Sequence, residues 1–114
     1  MTEIGLYEAM RTLRAVRRLQ TDPIPDDVLH RVLEAATWAP TGSNSQPWRI
    51  IVVKDSERKG QLGALYKKNW DAFIEQYSAA MAEFEDDVRQ KYERMIRAGD
   101  YLAEHFDETP VVLV

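Results

Sequence analysis

Two prolines, Pro40 and Pro47, bracket the stretch Ala39-Pro40-Thr41-Gly42-Ser43-Asn44-Ser45-Gln46-Pro47-Trp48 and leave the chain few choices on either side of it. A proline ring removes an amide donor and restricts the residue before it, so a helix arriving from the N-terminal side has to stop. Upstream, Val28, Leu29, Val32, Leu33, Ala35 and Ala36 repeat at helical spacing,. Downstream, Trp48-Arg49-Ile50-Ile51-Val52-Val53 is too short for a helix and reads as a strand apolar on both faces,. Between them, small and amide residues offer backbone N–H groups and a carboxamide to a ligand, and Gly42 lets a backbone approach closely. Ser, Asn, Gly and Pro are also what ordinary connections contain, so composition alone leaves a plain helix-to-strand loop as the alternative.

The other concentration of chemistry lies upstream. Arg11, Arg14, Arg17 and Arg18 fall close together in a chain whose net charge is −4. An acidic chain is a poor nonspecific ligand for nucleic acid, where neutralised phosphates drive affinity. The cluster is therefore a local anion site, or else arginine placed at an exposed helix C-terminus where it complements the dipole.

Around these two stretches the pattern reads as follows. A first helix spans Leu6 to Arg14, an extended segment runs to Leu19, and a turn forms at Thr21-Asp22-Pro23,. A second helix begins near Pro25, with Asp26 and Asp27 at the positive end of its dipole, and stops before Pro40,. From Ser56, apolar residues from Leu62 to Ile96 recur every three or four positions, which gives one very long helix or two joined without a proline,. The aromatics among them are spaced for core or subunit packing rather than for a cofactor. Gly99 reads as a helix C-cap, a short helix follows from Asp100 to Phe106, and Pro110-Val111-Val112-Leu113-Val114 reads as a strand,.

The length, 114 residues, suits a single small domain that buries roughly two-thirds of its unfolded surface,. No apolar run approaches the ~18 residues of a membrane span, and the N-terminus lacks a secretory pattern, so a cytoplasmic location is the default. There is no cysteine, and two histidines, His30 and His105, are too few for a metal site,. Both read as solvated side chains. No catalytic dyad or triad stands out, and without a cysteine the chemistry, if any, needs other groups or a cofactor,.

Arg14-Ala15-Val16-Arg17-Arg18-Leu19, then Asp22-Pro23-Ile24-Pro25, then the Pro40–Trp48 loop and its strand resemble the nitroreductase family of flavin mononucleotide (FMN) enzymes. The resemblance is clear from Tyr7 to about Val53. It implies an α+β fold with helices around a central, mainly antiparallel sheet, of which residues 1–114 would be the N-terminal part, broken off as the second strand begins. It also implies an intertwined homodimer with FMN at the interface, accepting hydride from NADH or NADPH and reducing a nitroaromatic, a quinone or a similar small molecule. Flavin-destroying and reductive-dehalogenating relatives are the nearer alternative. A half-length domain that binds flavin without catalysis, or only oligomerises, is the more distant one. By resemblance Arg14, Ala15 and Arg17 hold the FMN phosphate, and Pro40, Thr41, Gly42 and Asn44 line its ring, while Arg18 points elsewhere. Gln46 and Trp48 would fix the loop. The family's further Arg and Ser are absent here, and Arg11, one helical turn before Arg14, is the candidate to replace the charge.

Overall fold

The computed structural model describes residues 3–114. Helix α1 (Leu6–Thr12) is followed by an irregular segment, helix α2 (Asp26–Thr37), a single 3-10 turn at Gly42–Asn44, and strand β1 (Val52–Val53). Helices α3 (Ser56–Met81) and α4 (Asp86–Glu104), a 3-10 turn at Phe106–Glu108 and strand β2 (Val112–Leu113) complete the order. The result is a helix-rich α+β arrangement with one small antiparallel sheet, as the resemblance implied.

Helix α3 starts where Asp55 accepts a hydrogen bond from the Arg58 amide at 2.9 Å, a side-chain N-cap that satisfies one of the unpaired donors of the first turn,. The long periodic segment resolves into two helices because residues 82–85 break the ladder. The two then run antiparallel, zipped by rings: Trp70 to Phe73, Phe73 to Tyr77, Tyr77 to Tyr92 and Phe84 to Tyr92, with centroids 5.2–5.8 Å apart. Lower on α3, Tyr66 stacks on Phe106 at 5.0 Å. Buried Lys59 donates from Nζ to the Thr109 carbonyl at 2.7 Å, so the chain after α4 is pinned back along α3.

Gly99 does not cap a helix. It lies inside α4, buried, because the indole of Trp70 occupies the space a Cβ would need. The ring also anchors itself, Nε1 donating to Asp100 Oδ1 at 2.8 Å. The separate helix expected from Asp100 is therefore the continuation of α4. His105 is likewise not simply solvated: its ring stacks on Tyr101 at 4.0 Å, while His30 is exposed as expected.

Strand β1 pairs antiparallel with β2, Val52 opposite Leu113 and Val53 opposite Val112, and Ile51 and Val114 exchange both backbone hydrogen bonds at 2.8 and 3.0 Å. The strand is shorter than the Trp48–Val53 run, and only Val53 of it is buried. A two-stranded ladder covers few side chains, so Trp48, Ile50, Ile51 and Val52 are left facing solvent,. Helix α1 is exposed along its whole length, Leu6, Met10 and Leu13 included. The accessible area is 9498 Å², where size scaling gives about 6,400 Å² for a compact chain of this mass,. About half of the unfolded surface is covered rather than two-thirds, because the core reduces to Leu29, Val53, Met81 and Ala103 among the described residues,.

Candidate functional site

The Pro40–Trp48 loop holds itself in shape through Gln46. Its amide Nε2 donates to Thr41 Oγ1 at 3.1 Å and to Asn44 Oδ1 at 2.7 Å, its backbone N–H donates to Thr41 Oγ1 at 3.1 Å, and its Oε1 accepts from Trp48 Nε1 at 3.0 Å. This knot overcomes real backbone strain. Ser43, Asn44 and Gln46 have φ of 53°, 51° and 49°, a left-handed conformation that costs non-glycine residues of order 1–3 kcal/mol each and persists where surroundings over-determine it,. Sequence reasoning assigned Gln46 and Trp48 to fixing the loop. It did not anticipate that the strain would fall on Ser43, Asn44 and Gln46 while Gly42 keeps an ordinary φ.

The knot decides what the loop can offer. The N–H groups of Asn44, Ser45 and Gln46 are consumed internally, by Thr41 O at 2.9 Å, Gly42 O at 3.1 Å and Thr41 Oγ1. Those of Thr41, Gly42 and Ser43 have no hydrogen-bond partner among the described residues. Asn44 spends its carbonyl on Gln46 and turns its Nδ2 donor to solvent. A Cβ placed on Gly42 would meet nothing within 4 Å. An open floor beside free donors results, fixed by side-chain hydrogen bonds within the loop itself. Pro40 stands exposed at its entrance.

The arginines differ among themselves. Arg11 is not available as a replacement charge, because its guanidinium forms a two-point pair with Glu8 at 2.7 and 3.1 Å. Arg14 folds its Nη1 back on the carbonyls of Arg11 (3.1 Å) and Leu13 (2.7 Å), satisfying acceptors at the C-terminal end of α1 and keeping its other nitrogens free,. Ala15 contributes its carbonyl to a long 3.5 Å contact from Arg17 Nη1. Among the described residues neither Arg14 nor Arg17 forms an ion pair. Arg17 is half-buried and lines a small cavity with Tyr101, His105 and Glu108, and Arg18 places its Cζ 4.0 Å above the Tyr101 ring.

The two permanently charged forks without carboxylate partners among the described residues are chemically suited to a phosphate, and the unspent amide donor beside the open glycine to a polar ring edge,. No hydrogen bond joins the arginine segment to the loop among the described residues. Arg17 and Arg18 lie beside the end of α4, Arg14 lies at the end of α1, and the loop follows α2.

A protein-family model described as the nitroreductase family matches residues 10–114. Iodotyrosine deiodinase of Thermotoga neapolitana is 30% identical over 104 residues, covering 90% of this chain and 56% of that protein. NADH dehydrogenase of Thermus thermophilus is 49% identical over 49 residues, 43% of this chain and 24% of that protein. Among solved structures, oxidised iodotyrosine deiodinase bound to FMN and 3-iodo-L-tyrosine superposes with a TM-score of 0.68 at 23% identity, covering 96% of this chain and 54% of that one. The chain thus spans about half the length of the relatives it matches at full extent.

Proposed function

This chain belongs to the nitroreductase family, and from that premise we propose that it serves an FMN-dependent oxidoreductase that takes electrons from NADH or NADPH and delivers them to a small aromatic or quinone acceptor. The observation that carries this reading is the Gln46-centred knot, which holds Asn44 and the free N–H groups of Gly42 and Ser43 in a strained, preset arrangement where the family binds the flavin ring. Bound FMN supplies the redox chemistry, and the protein's part is to bind, orient and shield. Arg14 and Arg17 would hold the phosphate with charges that no carboxylate neutralises among the described residues. Pro40, Thr41 and Gly42 would line the ring, and the Asn44 amide would donate to its polar edge without changing its own charge between redox states. No acid–base residue is needed in the protein for hydride transfer.

A second reading concerns the acceptor. Similarity to an iodotyrosine deiodinase extends over nine-tenths of the chain, which favours a halogenated aromatic over a nitroaromatic. A homodimer is part of the same proposal, supported by the bare α1 stripe and the excess accessible area.

The test is spectroscopic. Purified protein titrated with FMN should acquire a bound flavin spectrum, then bleach under anaerobic NADH or NADPH and recover on addition of a halotyrosine, a nitroaromatic or a quinone. A protein that leaves FMN fluorescence unchanged overturns the cofactor assignment. One that binds FMN but is bleached only by dithionite overturns the nicotinamide donor alone.

A further inference from the structure

The segment between α1 and α2 carries the two arginines assigned to the phosphate, yet nothing regular holds it. Among the described residues, the bond from Arg14 Nη1 to the Arg11 carbonyl at the end of α1 is the one hydrogen bond that ties residues 14–24 to another element. An unrestrained segment would lose backbone and arginine side-chain freedom on gripping an anion, and that loss subtracts directly from affinity. Leu19 and Thr21 line a small cavity beside the end of α4, and one polar contact adds to that restraint. The Arg18 guanidinium lies 4.0 Å from the centre of the Tyr101 ring, within the range of a cation–π interaction,. Tyr101 is not free to follow it, because its ring stacks on His105 at 4.0 Å with 15° between planes, and the His105 ring bonds the Tyr101 carbonyl through Nδ1 at 2.8 Å. Its backbone lies in the last turn of α4, whose position is fixed by Trp70 and Asp100 one residue earlier. Arg17, the immediate neighbour of the clamped residue, is half-buried and lines a small cavity together with Tyr101, His105 and Glu108.

We propose that Tyr101 is a positioning residue for phosphate binding. By holding Arg18 it presets the segment in which Arg17 and Arg14 meet the anion, although it touches no part of the ligand itself. The proposal rests on the reading that those arginines bind the FMN phosphate. It also gives Arg18 a role: its charge is spent on the anchor and not on the cofactor. The π face carries the interaction, so the ring matters and its hydroxyl does not.

Flavin fluorescence titrations of the intact chain with FMN and with riboflavin, which lacks the phosphate, separate the possibilities. Tyr101→Leu should weaken FMN binding about two- to fivefold, the change an exposed cation–π contact implies, and leave riboflavin unchanged. Tyr101→Phe should bind FMN like the parent. Arg18→Gln should reproduce the loss in a protein whose α4 is untouched, and the double variant Arg18→Gln with Tyr101→Leu should be no weaker than the worse single, because both remove the same contact. Equal losses for FMN and riboflavin, an unchanged FMN affinity in Tyr101→Leu, or additive losses in the double variant would each overturn the proposal. If the parent protein binds FMN no better than riboflavin, the phosphate assignment falls and this inference falls with it. If the parent prefers FMN and Tyr101→Leu does not alter that preference, only the inference fails.

Discussion

The indole of Trp70 stands where a β-carbon on residue 99 would be, so the contact between α3 and α4 depends on Gly99 having none. A glycine inside a helix ordinarily gives up about 1 kcal/mol relative to alanine. Here the overlap outweighs that gain. Gly99→Ala should lower stability by about 1–3 kcal/mol, read as a shift in urea midpoint. In a Trp70→Leu background, the same change should become neutral or favourable, and a loss that persists there would mean that the ring is not the cause.

Arg14 and Arg17 are expected to bind phosphate through charge-assisted contacts of about 1.5–3 kcal/mol each, so Arg17→Ala should weaken FMN binding by roughly ten- to a hundredfold. Arg14→Ala should fall in the same range or below, since one of its nitrogens already serves the end of α1. Riboflavin affinity should not respond to either change. Isothermal titration with both ligands decides it, and unchanged FMN affinity in both variants would place the phosphate elsewhere.

Asn44 should set the flavin ring's environment rather than exchange protons. Its Oδ1 is held by Gln46, which leaves the Nδ2 donor for the ring. Asn44→Asp replaces that donor with a negative charge, opposes the added electron density of reduced flavin and should lower the midpoint potential of bound FMN. Asn44→Ala should mainly loosen binding. Potentials that agree across parent and both variants, with sites saturated, would reduce Asn44 to a turn-forming residue.

Lys54 at the end of β1 donates to Asp26 in the first turn of α2 at 2.5 Å, and this hydrogen bond, with the lysine's charge, holds the Asp26 carboxyl below its usual 3.8. A carboxyl whose native pKa is depressed stabilises the fold above its unfolded value, and that contribution disappears as pH falls through the native one. The stability difference between parent and Lys54→Gln should therefore be small, present at neutral pH, and shrink steadily below about pH 4. Urea titrations at pH 7 and in acid test this, and a difference independent of pH would rule the pair out.

Self-association is the fifth expectation. A seven-residue helix such as α1 is too short to persist alone in water, where ~12–15 residues are marginal, and its apolar residues Leu6, Tyr7 and Met10 stay largely exposed among the described residues,. A second copy that covers it together with Ile50, Ile51 and Trp38 would hide part of the excess exposed area, roughly 3,100 Å² per chain, in an interface of the ~2,000–5,000 Å² total typical of obligate dimers,. Sedimentation at micromolar concentration should give a dimer, and a stable monomer would defeat the idea.

Much of this arrangement was legible in the residues themselves. Pro25 and Pro40 marked the limits of α2, Ser56 marked the start of α3, and Pro110–Val114 read as a strand, because each depends on local backbone chemistry. What could not be read depends on distant contacts. Gly99 resembled a helix end until Trp70, far earlier in the chain, supplied the reason for it. His105 looked solvated because its partner ring belongs to the preceding turn and its exposure to the whole hairpin. The Trp48–Val53 run read as a buried strand because six apolar or aromatic-flanked positions ordinarily meet cover on both sides. Among the described residues it has one neighbouring strand and only partial helix cover, so Val53 alone of the run is buried. The Gln46 knot was only half visible: the glutamine's anchoring role followed from the motif, whereas the left-handed backbone at Ser43 did not.

The ladder between β1 and β2 joins stretches roughly sixty residues apart, and everything between them is the α3–α4 hairpin,. Closing so long a loop is slow unless the intervening helices form first and bring the ends together, so the hairpin has to fold before the sheet can. During synthesis at about 5–20 residues per second, β1 would leave the ribosome some 3–12 s before its partner exists. For that interval Ile50, Ile51, Val52 and Val53 form an unpaired, β-prone segment, flanked by Arg49 and Lys54. Those two cations are the only charges guarding it against self-pairing in the nascent chain, so their removal should lower soluble yield even where the finished protein is no less stable.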